Sequence, residues 1–138
     1  MNIVTHKRGI FRALSLVALA FGLLTIKEGG TTLFGDAAAR SAAGNYVPFV
    51  LWFNFLAGFA YILAGAGLWT AQRWARWLAA AIASATALAF VAFAAHIYAG
   101  GAYEMRTVVA MSLRTFIWTV IAIVAASNSN PKTVTKEY

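Results

Sequence analysis

Residues 47–69 read V-P-F-V-L-W-F-N-F-L-A-G-F-A-Y-I-L-A-G-A-G-L-W, without a single charged side chain. That length is close to the roughly 20 residues a helix needs to cross about 30 Å of hydrocarbon. Three further runs of the same kind lie at residues 10–27, 74–98 and 107–126. Only helices and closed barrels satisfy the backbone in lipid, and continuous apolar runs lack the period-two alternation of barrel strands. The sequence therefore predicts an all-α integral membrane protein, a four-helix up-down-up-down bundle. Residues 1–126 form a single four-span domain, and residues 127–138 a polar cytoplasmic tail containing Pro131, expected to be disordered.

Composition points the same way. Of the 138 residues 62% are hydrophobic and 11% charged, against about 25% charged in soluble domains, and the mean hydropathy is +0.72. The formal net charge of +7 sits at the ends of the apolar runs, where lipid headgroups account for it and nucleic acid is not required. The lipid bilayer is thus the first partner. The absence of cysteine excludes disulfides, thiolate metal sites and thiol catalysis.

Between the first two runs lie Gly29, Gly30, Gly35 and Gly44, expected to break the chain, and an alanine-rich piece from Asp36 to Ala43 expected to form a short interfacial helix. A very short second loop at Arg73 makes spans two and three antiparallel neighbours, and Gly100 and Gly101 interrupt the chain before span four. Lys7, Arg8, Arg12, Arg73, Arg76, Lys132 and Lys136 fall on one side. Lys27, Arg40 and Arg106 fall on the other, with Glu28, Asp36 and Glu104. The positive-inside rule places both termini in the cytoplasm of a multi-pass protein of the cell membrane, expected to be a bacterial inner membrane. Trp69, Trp74 and Trp77 mark the inner interface, and Tyr46, Trp52, Tyr98 and Tyr103 the outer one. The basic start and the small residues Ala37 to Ala39 imitate a secretory signal, but the length of the run and the Lys27–Glu28 interruption favour a retained span.

Polar residues inside spans are the candidates for function. Asn54, Gly58, Tyr61 and Gly65 recur at helical spacing on one face, a packing seam in which Asn54 either bonds across helices or meets a ligand. Ala85, Ala89 and Ala92 form an expected small-residue stripe leading to His96. Thr107, Met111, Arg114 and Trp118 share a face of the fourth span. Arg114 lies about 10 Å inside the outer end, at a cost of a few kcal/mol unless it is paired or hydrated. Glu28 and Glu104 are its candidate partners. The candidate site is the outer polar cluster Lys27, Glu28, Asn54, His96, Glu104, Arg106 and Arg114, either a self-neutralising network or a ligand pocket. Trp52 or Trp118 would supply that pocket's apolar walls.

His96, Met105 and Met111 offer imidazole and thioether groups that suit copper(I), but one histidine with scattered methionines is not a ligand motif, and a structural His96 at a helix end is expected. No metal site and no catalytic residue is assigned: there is no phosphate loop, zinc-binding histidine pair or nucleophile elbow. No cofactor can be named.

The order of features resembles the DoxX-like group of small four-helix membrane proteins. The first span closes with G-L-L-T-I-K-E-G-G (Gly22 to Gly30). L-A-G-F-A-Y-I-L-A-G-A-G-L-W (Leu56 to Trp69) is followed at once by basic residues and an alanine-rich third span. The resemblance covers the first three spans and implies the fold more than a function, since members of that group are associated with membrane-bound sulfur and quinone redox chemistry or have no assigned activity. The acidic residue expected in the second span is replaced by the region of Ala60 and Tyr61, so no catalytic residue is carried over. Three functional expectations follow. The first is a non-catalytic accessory or scaffolding subunit, with a membrane-protein partner or a second copy of itself. The second is a small-ligand or quinone-binding protein using the outer cluster, and the third a small oligomeric transporter with Glu28 or Glu104 as the proton-coupling carboxylate.

Overall fold

A computed structural model describes residues 3–128 of the chain; the expected disorder of the tail falls mostly outside them. Five helices follow in order: α1 (Ile3–Phe34), α2 (Ala37–Ala43), α3 (Pro48–Trp69), α4 (Arg73–Tyr98) and α5 (Met105–Ser127). Four of them, all but α2, are long and apolar enough to cross a membrane. Among the described residues there is no strand.

The longest helix departs from expectation. Gly29 and Gly30 do not break α1, which runs on to Phe34. Tertiary packing overrides propensity here: Gly29 is buried under α3, where an added Cβ would stand 3.1 Å from Phe55 Cβ. The Thr31 and Thr32 hydroxyls donate to the Lys27 and Glu28 carbonyls at 2.7 and 3.2 Å. Phe34 then packs edge-on against Trp52 and Phe55.

α1 lies antiparallel along α3, the most extensive helix pairing in the molecule. A Cβ on Gly22 would meet Ile62 Cγ1 at 2.7 Å and the Gly58 carbonyl oxygen at 2.9 Å, and one on Gly58 would meet Ile26 Cγ1 at 2.7 Å. Only glycine lets the two backbones come this close, as small residues do at membrane helix interfaces. One turn from the far end of the seam, Ser15 Oγ donates to the Gly65 carbonyl at 2.6 Å. The face Asn54, Gly58, Tyr61 and Gly65 is buried as its spacing predicts.

α4 joins α3 and α5, but with a different face from the one expected. Ala75, Ala79, Ile82, Thr86 and Phe93 are buried, whereas Ala85 and Ala92 are exposed. Alanines occur all round this helix and are equally at home against lipid, so the larger Ile82 and Phe93 set the rotation. On α5 the predicted face is buried at Met111, Arg114 and Trp118. The core has a large cluster around Tyr61, Leu68 and Trp118 and a smaller one of Val47, Val50, Phe93 and Met111.

Candidate functional site

α1 and α5 do not pack extensively on one another. The space between them, near α2, is a cavity of about 530 Å³. Glu28 and Thr32 of α1, Leu51 and Asn54 of α3, and Thr107, Ala110 and Arg114 of α5 form its walls. Ala39, Ala42, Ala43 and Tyr46, from α2 and the segment after it, complete the rim with Glu104 and Arg106.

The rim is a small construction of its own. Asp36 caps α2 by accepting from the Ala39 N–H at 2.9 Å, satisfying one of the free donors at a helix start. At the other end the Arg106 guanidinium donates to the Ala42 and Ala43 carbonyls at 3.1 and 3.2 Å. Glu104 Oε1 accepts the Asn45 N–H at 2.7 Å. Gly44 between them has φ +70°, and a Cβ there would collide with the Glu104 carboxylate. Two charged residues at the start of α5 thus fasten the α1–α3 connection to the bundle.

Arg114 is the deepest charge, 8% exposed. Its guanidinium donates to Thr25 Oγ1 on α1 at 3.3 Å, while Nε has no partner. The expected partners Glu28 and Glu104 line the same cavity but neither pairs with it. Glu104 is committed to a backbone N–H instead. Nearby, Asn54 Oδ1, Tyr61 Oη, Thr86 Oγ1 and Trp118 Nε1 are also buried without hydrogen-bond partners among the described residues. Tyr61 and Trp118 stack with ring centroids 4.7 Å apart. The Tyr61 hydroxyl is turned toward Thr86 and within electrostatic reach of Arg114, without meeting hydrogen-bond geometry. A buried polar group left unbonded costs about 1–3 kcal/mol, so the unpartnered Arg114 Nε, Asn54 Oδ1 and Trp118 Nε1 stand out among the buried atoms of α3 and α5.

Of the seven residues in the sequence-derived cluster, Glu28, Asn54, Glu104, Arg106 and Arg114 line the cavity. Lys27 and His96 do not. Lys27 is exposed on α1. His96 Nε2–H donates to the Ala102 carbonyl at 3.0 Å and the ring lies edge-on to Phe49, over Gly101, so this histidine secures the α4–α5 turn. Trp52 packs against Phe34 and Phe55 and Trp118 against Tyr61, so neither is a cavity wall; Leu51 and the alanines are. Met111 is buried beside Phe93 and Val50, while Met105 is exposed. Sequence reasoning missed Thr25, whose hydroxyl lies one turn before Glu28, and Thr86 and Tyr61 as members of the buried polar group.

Comparison with family models, curated proteins and solved structures gives no match. The likeness to the DoxX-like group therefore stands on the residue pattern alone.

Proposed function

We propose that this is a small multi-pass membrane protein that binds a small ligand in the α2-side cavity, the ligand presenting an acceptor group, a carboxylate or a quinone-type carbonyl, to Arg114. The observation that carries this reading is a nine-tenths-buried guanidinium with one weak neutral hydrogen bond and no carboxylate partner, on the wall of a cavity of about 530 Å³. A scaffold held by a self-neutralising network needs closed ion pairs, and none joins Arg114 to Glu28 or Glu104. The distribution of Lys and Arg supports both termini in the cytoplasm and the cavity opening to the outside. The test is extraction of the protein purified in mild detergent, with mass analysis of retained small molecules. A molecule retained by the wild type and lost from Arg114→Leu, with the helical content unchanged, is expected. If the variant retains the same molecules, the reading fails.

The accessory-subunit reading has its own support in an apolar groove of about 280 Å³ between α3 and α4, lined by Phe53, Leu56, Ala57, Leu78, Ala81 and Ala85. A helix from a partner or from a second copy fits such a groove, by packing of small residues. Mass measurement of the purified particle tests it: a lone monomer counts against it.

A further inference from the structure

We infer that the cavity selects a zwitterion, with the anionic group directed inward to Arg114 and the cationic group outward to Glu28; this rests on the ligand-binding reading above. Four charged side chains line the cavity, Glu28, Glu104, Arg106 and Arg114, and their formal charges cancel. Two are already engaged with backbone, Glu104 through the Asn45 N–H and Arg106 through the carbonyls that end α2. The other two are of opposite sign and do not pair with each other.

Their order along the cavity is set by α1. Arg114 bonds to Thr25, and Glu28 follows three residues later, about 4.5 Å further along the helix toward α2. The cation of the protein is therefore deep and the free carboxylate one turn nearer the rim. Between and around them the walls are mixed: Leu51, Ala110 and the alanines of α2 lie among the polar groups of Thr32, Tyr46, Asn54 and Thr107. An anion bound at Arg114 has the charge of Glu28, exposed at the cavity mouth, a turn away, and a cation bound at Glu28 faces Arg114, so either alone is opposed. A molecule carrying both charges in the matching order satisfies both residues. Two sources present that chemistry with the negative group inward, a free amino acid-like zwitterion or the phosphate-ammonium headgroup of an ethanolamine phospholipid.

The test uses the full chain in nanodiscs of phosphatidylglycerol, with three probes of equal chain length, 5-aminopentanoate, pentanoate and pentylamine, read by calorimetry. The expected result is binding of 5-aminopentanoate with pentanoate and pentylamine each at least about tenfold weaker. Glu28→Gln should reverse the first preference, pentanoate gaining and 5-aminopentanoate losing. Glu28→Ala should repeat the reversal without the amide. In a second arm the discs contain phosphatidylethanolamine. Competition with 5-aminopentanoate then assigns the headgroup, and undiminished binding assigns a free zwitterion, each supporting the charge order. Pentanoate binding as tightly as 5-aminopentanoate, in an Arg114-dependent way, overturns the zwitterion while the ligand-binding reading stands. No response to any probe in either disc overturns the zwitterion alone, since the retained-molecule experiment decides the broader reading independently.

Discussion

Arg114 of α5 reaches across to Thr25 of α1 with a single 3.3 Å hydrogen bond, a polar link between the first and last long helices. Because the link is neutral on one side, Arg114→Met removes a buried charge without stranding an opposite one. Breaking a true buried ion pair costs about 3–5 kcal/mol. Here the melting temperature in detergent should stay level or rise. A marked fall would reveal a carboxylate partner.

The α1–α3 seam should be intolerant of side chains. Gly22→Leu or Gly58→Leu would force a branched side chain into backbone already in contact, with an expected loss of about 1–3 kcal/mol from overpacking. Gly9→Leu, where a Cβ meets nothing within 4 Å, is the control. Reversible unfolding in mixed micelles measures the difference.

Ser15→Ala removes the 2.6 Å hydrogen bond to the Gly65 carbonyl and leaves the seam's shape intact. Interhelical hydrogen bonds in membranes average about 0.6 kcal/mol and reach about 1.7. The same unfolding assay should therefore report a loss well below that of the glycine variants.

Gly44→Ala combines a left-handed backbone, φ +70°, with a collision at the Glu104 carboxylate. The backbone alone accounts for about 1–2 kcal/mol. Hydrogen exchange should quicken in residues 37–46 of this variant. Gly100→Ala, with φ +87° and open space around it, should leave α2 unchanged.

The chain has no cysteine, so single cysteines can report orientation. Ser41→Cys in intact cells should react with a membrane-impermeant maleimide. Gln72→Cys should react only after the membrane is opened. The reverse pattern would invert the proposed topology.

Long apolar runs declare themselves, and the existence of four helices long and apolar enough to cross a membrane could be read directly from residues such as 47–69. Faces were readable where one helix mixed distinct residue types: Asn54, Gly58, Tyr61 and Gly65 stand out against phenylalanine and leucine, as Arg114 and Trp118 do on α5. On α4 the alanines give no preferred direction, and the predicted stripe was rotated from the true one. Gly29 and Gly30 read as breakers because their local propensity is visible and Phe55, which covers Gly29, is distant in sequence. The same distance hid the pairing of the cluster. Glu104 is taken by Asn45 and Arg114 by Thr25, choices made by tertiary geometry between residues whose charges alone favoured a different match.

The dependence of the cavity on both chain ends has a consequence for biogenesis. Synthesis delivers α1 and α3 first, and the close approaches at Gly22 and Gly58 are made between these two helices alone. The guanidinium, the two rim residues and one whole wall arrive only with Glu104 and α5. A product that stops before Glu104 would keep the α1–α3 pair and lack Arg114 and the α5 wall of the cavity, so stability of a fragment and completeness of the cavity are separable from birth.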